Sequence, residues 1–410
     1  MDCILNRHAG NAGKFRFRST AVTRIIGTMV MVVCSWWLLT GITGAEGFTV
    51  LLGPRALGMG GAYTALADDP TALYWNTSVV VLNNKWDIAW FAGDGDQEKE
   101  NFIDAFSLAR SITPAEAASD PIREAQLVDY LDELRRYGTG IDEQTVRGFA
   151  VQHGKFGIMI LQRDRYRVIS AMDMENVTGA EPDDPSILDN ESGLIFAGLD
   201  RTEFITSYSH FSEGSGMLVG INLKYIQAQT FYDNISLWDI TPGLEGRELL
   251  DMTHRNREDH SAFSWDLSVS AITGGGRVSL AVHDVTGYRL ERDEGEDFRV
   301  KAAYRLGYTT MLGTALRLAV DYDLTANRDH LSGEQERQLA WGMEKWFGGE
   351  RGLAIRAGFY QRMGERRDDR YVVTAGLGFR LKWLTGDVAG MMDSDGGTGG
   401  LSFKLAVSFD

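Results

Sequence analysis

The chain has 410 residues, of which 44% are hydrophobic, and its 57 acidic side chains outnumber the 41 basic ones, which gives a formal net charge of −16. Because such a charge repels a phosphate backbone, we expect no nucleic-acid partner. After the N-terminal region no apolar run is long enough for a membrane-spanning helix, which excludes a helical membrane bundle.

The first 45 residues have the pattern of a cleavable export signal. Four basic side chains lie between residues 14 and 24, an apolar stretch follows from Ile25 to Thr40, and the small residues Thr43-Gly44-Ala45 suit a cleavage site. A retained anchor helix is the alternative, but the apolar stretch is short for a span. Both cysteines of the chain lie in this segment, so the exported part would have no disulfide or thiol chemistry.

The stretch from Gly53 to Asn76 is rich in glycine and small residues. Its Gly58-Met59-Gly60-Gly61 sequence permits close backbone approach or a positive φ. A nucleotide-binding motif is excluded, because Tyr63 stands where a further glycine is expected and no βαβ pattern surrounds it. Asp68-Asp69-Pro70 favours a turn or a helix start, and a divalent-cation site is the alternative role of its two carboxylates.

This stretch resembles the N-terminal signature of the PorV/PorQ group of outer-membrane proteins, which are distant relatives of FadL-type transporters. The resemblance implies a barrel of about fourteen strands whose N-terminal segment, here residues 46–85, folds into the lumen as a hatch. The chain departs from the family at Asn76-Thr77-Ser78, where Asn-Pro-Ala or Asn-Pro-Gly is common, so a backbone donor is restored. The predicted hatch residues are Gly53, Arg55, Gly58, Gly60, Gly61, Asp68, Asp69, Pro70, Trp75 and Asn76.

Residues 101–137 change to a helical period. Asp120 is a plausible N-cap with Pro121 at the first helical position, and apolar side chains between Leu127 and Tyr137 share one face. We expect a helical insertion that packs inside the barrel, caps its mouth or lies at the membrane interface.

Elsewhere in residues 86–410, apolar and polar side chains alternate. Every second residue from Phe263 to Ala271 is apolar, with Ser or Asp between, and the final strand from Leu401 to Phe409 follows the same rule. Such runs reach the roughly 9–11 residues that a tilted strand needs to cross a bilayer. The predicted strands lie near residues 86–91, 146–152, 155–162, 165–172, 202–211, 217–229, 263–273, 277–284, 298–309, 314–324, 338–347, 352–361, 371–383 and 401–409.

The predicted fold class is therefore all-β, a transmembrane β-barrel of about 14 antiparallel strands with an N-terminal hatch segment and a helical insertion. A soluble sandwich or propeller is the alternative, but its strands are usually nearer to five or six residues. Aromatic residues near the strand ends favour an outer-membrane location, and these are Trp86, Trp90, Tyr304, Tyr308, Trp341, Trp346, Tyr371 and Trp383.

Charged residues occupy the polar phase of several strands, where facing lipid would cost several kcal/mol. We expect them in the lumen or at its rims, either paired with one another and with Asp68 and Asp69, or lining a polar conduit. The predicted lumen residues are Arg299, Lys301, Arg305, Arg317, Asp321, Asp323, Arg356, Arg380 and Lys382, with Lys404 on the same phase of the last strand.

No residue pattern indicates catalysis. The histidines beyond the signal lack the spacing of a metal-binding pair, and no catalytic triad can be assigned. A loop with Asp251, His254 and His260 is a metal-site alternative, although solvated histidines explain it as well. We expect no enzyme, no cofactor and no resident metal.

The resemblance implies transport of small hydrophobic molecules across the outer membrane. Apolar hatch side chains, namely Leu57, Met59, Leu66, Leu73 and Trp75, would either form a pocket for such a ligand or simply pack. The alternative is a PorV-like shuttle subunit that binds secretion machinery or another envelope protein through long acidic loops. A barrel with a purely structural role is the third possibility.

Overall fold

The computed structural model describes residues 43–45, 51–98, 101–177, 187–240, 249, 257–291, 297–313, 316–328, 335–349, 351–364, 370–393 and 398–410. Apart from residues 43–45, the predicted export signal lies outside these ranges. The eighteen strands found within them are β1 (Thr43–Ala45), β2 (Trp86–Glu98), β3 (Thr139–His153), β4 (Phe156–Ala171), β5 (Gly193–Ser212), β6 (Met217–Ser236), β7 (Glu258–Thr273), β8 (Gly276–His283), β9 (Tyr288–Leu290), β10 (Phe298–Val300), β11 (Ala303–Leu312), β12 (Leu316–Asp323), β13 (Ala326–Arg328), β14 (Gln335–Gly348), β15 (Arg351–Gly364), β16 (Arg370–Leu381), β17 (Leu384–Asp393) and β18 (Thr398–Phe409).

Fourteen of these strands close into an antiparallel barrel, which confirms the predicted fold class. They are β2 to β8, β11, β12 and β14 to β18. The first and last of them pair with Trp86 opposite Phe409, and β14 pairs with β15 with Ala340 opposite Tyr360. These pairings leave the sheet without an open edge. A wall within lipid needs this closure, because unpaired backbone groups have no water to bond.

The two ends of the barrel differ. At one end, which we call the turn end, turns of two to four residues connect pairs such as β3 with β4 and β5 with β6. Longer connections leave the opposite loop end, and the one between β2 and β3 contains the helical insertion. Short turns at one end and long loops at the other are typical of outer-membrane barrels.

Large apolar side chains cover the outer face of the barrel. Phe263 is 76% exposed and Leu401 is 65% exposed, whereas the neighbouring Ser264 and Ser402 are buried on the inner face. Because alternate side chains of a strand point to opposite faces, the apolar phase faces outward, as a wall in contact with acyl chains requires. One row of this belt crosses four strands in register through Ile355, Leu377, Val388 and Phe403.

Before the first barrel strand, the chain runs through the barrel interior as residues Leu51–Leu82, which we call the inner segment. It contains α1 (Pro54–Gly58), α2 (Ala72–Trp75) and a 3₁₀ helix (Thr77–Leu82). Nearly all of its side chains are buried, and they share one core cluster with inward residues such as Met159 and Ile205.

The wall is taller on one side. Strands β5 and β6 have 20 residues each, whereas β8 and β12 have 8. Because roughly 9–11 tilted residues cross a bilayer, β3 to β7 extend past the apolar belt at the loop end.

The helical insertion consists of α3 (Phe102–Arg110), α4 (Pro114–Ser119) and α5 (Pro121–Tyr137). The Asp120 side chain caps α5 as predicted, because it accepts a hydrogen bond from the Ile122 amide at 2.9 Å. Among the described residues, no helix combines the length and the apolar character needed to cross a membrane.

The insertion covers the outer face of the tall wall. Leu127 of α5 is buried in one cluster with Val168 and Phe196, which are register partners on β4 and β5. Val168 shares the strand phase of the exposed Ile160, so this face is the outward one. The insertion therefore lies outside the lumen, beyond the apolar belt. The predicted position inside the barrel is wrong.

The predicted strand at 298–309 is two separate elements. Residues Phe298–Val300 form β10, which pairs only with β9 within the described structure, and the barrel strand β11 begins at Ala303. Val300 is therefore buried in a hairpin instead of facing lipid, and Arg299 and Lys301 are exposed residues of the loop end instead of wall residues. The hairpin packs on inward side chains of β5 and β6, namely Leu199 and Ala228.

Two other strand predictions need correction. The predicted strands at 155–162 and 165–172 are one continuous strand, β4, and residues 384–393 form a barrel strand, β17, that no prediction included. The predicted total of about fourteen was right because these two errors cancel.

Candidate functional site

Glycine lets the inner segment lie directly on the barrel wall. A side-chain carbon added to Gly58 would stand 3.1 Å from the Cα of Gly376 on β16. Gly60 has a φ of +64°, and a carbon added there would stand 2.6 Å from the backbone nitrogen of Phe359 on β15. Neither position accepts a side chain without displacing the backbone, which explains two of the predicted hatch glycines.

Arg55 of α1 lies at the centre of a buried ion network. Its Nε and one terminal nitrogen donate to the two oxygens of Glu344 on β14, at 2.7 and 2.9 Å, and its other terminal nitrogen binds Asp68. Glu344 also accepts from Arg356 Nε at 2.8 Å, and Arg317 of β12 reaches Asp68 at 3.0 Å. The inner segment is thus joined directly to β12 and β14 by charge-assisted hydrogen bonds, and Glu344 extends the network to β15.

The network continues to the last strands. A terminal nitrogen of Arg356 lies 2.7 Å from Asp387 on β17, Lys404 of β18 lies 3.0 Å from the same carboxylate, and Lys404 also binds Asp69. Within the described residues this inner ion network balances four bases with four acids, and such pairing is what allows charges to be buried. Its members are Arg55, Arg317, Arg356, Lys404, Asp68, Asp69, Glu344 and Asp387.

The charged surroundings shift the titration of the inner segment. Partial burial raises the pKa of the Asp68 carboxyl, but the neighbouring Arg55 and Arg317 lower it more, so the pKa lies well below its usual range. Burial lowers the pKa of Arg55, and its bonds to Asp68 and Glu344 more than reverse that effect. Burial raises the pKa of the Tyr63 phenol well above its usual value. Water reaches one end of the network, because the Asp68 side chain is 44% exposed.

The middle of the inner segment is held through its backbone. The amides of Tyr63 and Thr64 both donate to Asp321 Oδ2 on β12, at 3.0 and 2.8 Å. Arg277 of β8 donates from Nε to the Ala65 carbonyl at 2.6 Å. These contacts satisfy backbone groups that would otherwise be buried without partners.

Arg305 of β11 joins the wall to both halves of the inner segment. Its Nε donates to Asp323 at 2.5 Å, and a terminal nitrogen donates to the Gly61 carbonyl at 3.4 Å. Its guanidinium carbon also lies 5.7 Å from the centre of the Trp75 ring, a distance at which a cation attracts an aromatic face.

The two halves of the inner segment are bonded to each other. Trp75 Nε1 donates to the Leu52 carbonyl at 2.9 Å, and Asn76 Nδ2 donates to the Thr64 carbonyl at 2.7 Å. Thr77, which stands where the resembled family has proline, donates its hydroxyl to Asn222 on β6 at 2.6 Å. These bonds make the inner segment a single body.

A second ion cluster, which the sequence did not single out, lies nearer the loop end. Lys224 of β6 lies 2.7 Å from Asp266 and also binds Asp284, while Glu203 of β5 binds Arg163. The alternation that placed Arg305 inward holds here too. Arg163 was missed because residues 163 and 164 were left between two predicted strands, although they lie within β4.

The structure brings six of the predicted lumen residues together on the inner wall. These are Arg305, Arg317, Asp321, Asp323, Arg356 and Lys404, and each is bonded to the inner segment or to a neighbouring strand. Two others lie at the turn end: Arg380 stands over the Trp346 ring at 4.6 Å, and Lys382 is exposed in the turn between β16 and β17. Glu344 and Asp387, which complete the network, were not predicted.

The apolar side chains that were considered for a ligand pocket are all buried. Leu57, Met59, Leu66, Leu73 and Trp75 belong to one cluster with wall residues such as Leu161. In this arrangement they pack the inner segment against the wall, which is the simpler of the two roles considered.

Metal binding has no candidate among the described residues, where no group of three or more His, Cys, Asp or Glu side chains is suitably arranged. Of the loop considered for a metal, Asp251 and His254 lie outside the described ranges. His260 is the third residue, and its Nε2 lies 2.8 Å from the Thr230 hydroxyl.

Comparison with solved structures gives the same fold at low sequence identity. A FadL homologue from Pseudomonas aeruginosa matches with a TM-score of 0.51 and 12% identity, covering 90% of this chain and 100% of that chain. The toluene transporter TbuX of Ralstonia pickettii matches with a TM-score of 0.48 and 12% identity, covering 90% of this chain and 98% of that chain. The toluene transporter TodX of P. putida matches with a TM-score of 0.44 and 9% identity, covering 88% of this chain and 98% of that chain. The match to the FadL homologue shows the barrel fold. The PorV/PorQ assignment is not confirmed.

Comparison with curated proteins found no match. A protein-family model does match, over residues 90–329, which is more than half of the chain. The protein therefore belongs to the family described as F plasmid transfer operon, TraF, protein.

Proposed function

We propose that this protein is an outer-membrane channel for small hydrophobic molecules in which the inner segment acts as a movable hatch. The closed barrel with its apolar outer belt supports the membrane location. The fold shared with a FadL homologue, and the resemblance of Gly53–Asn76 to the signature of FadL relatives, support transport. Because fold alone does not fix function, the proposal depends on how the hatch is held.

The observation that carries the proposal is the inner ion network. A stopper meant to stay in place gains little from ion pairs, since well-packed apolar residues of the same volume often hold a buried site as firmly or more firmly. Ion pairs that water can reach exchange partners readily, and the 44% exposure of Asp68 gives water that access. The network therefore suits a hatch that detaches and returns.

The hatch moves as one body. Its halves are joined by the Trp75–Leu52 and Asn76–Thr64 hydrogen bonds, and its end is joined to β7, where the Ser78 and Ser270 hydroxyl oxygens are 2.7 Å apart. A covalent bond at Ser78 should therefore hold the whole segment.

The experiment replaces Ser78 and Ser270 with cysteine, in a chain whose two native cysteines are changed to serine. Uptake of N-phenyl-1-naphthylamine, which a lipopolysaccharide leaflet excludes, is measured in cells whose outer membrane carries the protein, before and after reduction. We expect cells with the oxidised S78C/S270C protein to behave like cells without the protein, and cells with the reduced protein to take up the probe. Equal uptake in the two states contradicts the hatch.

A matched control uses the same residue of β7. The Ser270 hydroxyl oxygen is also 2.7 Å from that of Ser279 on β8, so S270C/S279C forms a disulfide within the wall that leaves the inner segment unattached. Its uptake should not depend on reduction.

No specific observation within the described residues favours the secretion-partner alternative. Transport is therefore the function that we carry forward.

A further inference from the structure

A polar groove of about 650 Å³ lies on the outer face of the barrel, across β4 to β7. Most of the residues that line it share the outward strand phase of the lipid belt. Gln162 follows Ile160 by two positions, and Thr202 and Ser261 precede Phe204 and Phe263 by two, where each of the three apolar residues is exposed. Along β4, the outer groove thus lies between the apolar belt and the part of the wall that the helical insertion covers.

The groove offers hydrogen-bond donors and acceptors in mixed array. Gln162 Nε2 donates to Asp164 Oδ2 at 2.9 Å, and Gln229 Nε2 donates to Asp259 Oδ1 at 2.7 Å. Asp164 Oδ1 is buried and has no hydrogen-bond partner among the described residues, which leaves a strong acceptor beside the groove. The Gln227 side chain also lines it.

One wall of the groove is aromatic. Tyr225 lines it and continues the apolar belt, since its ring is stacked on Phe204 with centroids 6.2 Å apart and lies 5.0 Å from Phe263. An aromatic face beside amides and carboxylates provides a flat apolar surface together with oriented polar groups.

Charge and geometry restrict what can bind. Three carboxylates, those of Asp164, Asp200 and Asp259, face one guanidinium from Arg257, so an anionic ligand is repelled. A resident cation such as Ca²⁺ needs six to eight oxygen ligands. Asp200 already binds Arg257 at 3.0 Å, and Asp259 is held by Gln229. Hydroxyl groups both donate and accept, so a neutral molecule rich in hydroxyl groups matches the mixed donors and acceptors of the groove.

We propose that the outer groove binds a neutral saccharide, with Asp164 and Gln227 accepting and donating to its hydroxyl groups and Tyr225 contacting the apolar face of a ring. Because the groove adjoins the apolar belt, the saccharide is either free in solution or the headgroup of a glycolipid whose chains lie in the belt. The two sources present the same chemistry, and they can be separated.

The test uses the full-length exported chain, purified in a detergent without sugar. In one arm, saturation-transfer NMR measures binding of lactose, maltose and N,N′-diacetylchitobiose. In the other, the protein is placed in phosphatidylcholine nanodiscs with lactosylceramide, and native mass spectrometry measures the glycolipid that it retains. Binding in the free arm, or retention in the lipid arm alone, supports the proposal and identifies the source.

The variants Asp164→Ala and Gln227→Ala should weaken binding by about tenfold, since each removes a hydrogen bond to the ligand. Glu213→Ala is the matched control, because Glu213 is an exposed carboxylate in the turn between β5 and β6, at the opposite end of the barrel from the groove, and binding should not change. Heat-modifiable gel mobility verifies that all three fold. Absence of binding in both arms, or equal binding by all variants, overturns the proposal.

Discussion

Glu344 is the residue on which the inner ion network depends most. It is fully buried and accepts hydrogen bonds from two guanidinium groups, one on the inner segment and one on β15. Removing one member of a buried ion pair leaves its partners charged and uncompensated, which costs more than the pair itself contributes. Glu344 is therefore where a single substitution should loosen the inner segment.

We expect Glu344→Gln to reduce the free energy of unfolding by about 3 kcal/mol or more, because Arg55 and Arg356 lose their shared countercharge. Denaturant titration of the protein in lipid vesicles, followed by tryptophan fluorescence, measures the change. Asp94→Asn, at an exposed outward site, serves as control and should change stability by less than about 0.5 kcal/mol. If the two variants were equally stable, the network would have no part in holding the segment.

The stability of the folded protein should depend on pH through the Asp68 carboxyl. Its pKa in the folded protein lies well below the unfolded value, so the stability that it contributes is complete above about pH 4 and is lost as the pH falls toward the folded pKa. Asp68→Asn should therefore be less stable than the native protein by a constant amount from pH 8 to about pH 5. Below about pH 4 the difference should shrink. Denaturant midpoints at several pH values test this, and a difference that grew on acidification would contradict it.

Six of the eight members of the inner ion network were singled out from the sequence, and Glu344 and Asp387 were not. Arg305, Arg317 and Arg356 were placed inward because the alternation of their strands left no other position that avoids lipid. Glu344 was missed, although it has the same phase, because its strand also carries Trp346 and Ala340 on the inward face and so lacks a polar wall. The pairing of Arg55 with Glu344 joins residues 289 positions apart, and only the closed barrel brings them together.

At the scale of elements, the sequence predicted strands with regular apolar–polar alternation and missed a strand whose alternation is interrupted. β17 was missed because Gly386 and Gly390 interrupt its alternation, and both packing and register come from the neighbouring strands. The β9–β10 hairpin was taken for barrel wall because Phe298 and Val300 continue the period of β11. Local pattern cannot distinguish a strand that faces lipid from one buried inside the lumen.

The apolar belt on the outer face predicts how the barrel responds to a charge placed on β16. Leu377 lies on β16 between Ile355 and Val388, its exposed register partners on the adjacent strands. Leu377→Arg should destabilise the folded barrel by about 2–4 kcal/mol, as expected for arginine on the lipid face near the midplane. Asp94→Arg lies toward the loop end of β2 and should cost about 0–1 kcal/mol. Unfolding in vesicles of fixed thickness measures both, and a tolerated Leu377→Arg would argue that this face is not in lipid.

For the molecule as a whole, the inner segment is a separate body that contacts the wall around its circumference. Contacts from Leu51 to Ser78 reach strands on every side of the barrel, including β6, β12, β15 and β18. The core cluster that they share is the main apolar core of the lumen. The closed hydrogen-bonded cylinder does not itself need these contacts, because its backbone groups are satisfied between strands. The barrel should therefore persist when the inner segment is absent, and its lumen should open.

Deletion of residues 51–82 should accordingly leave a folded barrel with a permanent conductance. In planar bilayers we expect discrete, long-lived conductance steps from the deletion variant and none of that size from the native chain, because the native lumen is filled by packed side chains. The steps should show little preference between cations and anions, since the wall residues of the network, Arg317, Arg356, Lys404, Glu344 and Asp387, include both charges in nearly equal number. The S270C/S279C wall disulfide, added to the deletion, should leave the steps unchanged and so exclude strand separation as their source. If the deletion variant folded, as judged by heat-modifiable mobility, yet conducted no better than the native chain, the inner segment would not be what closes the barrel.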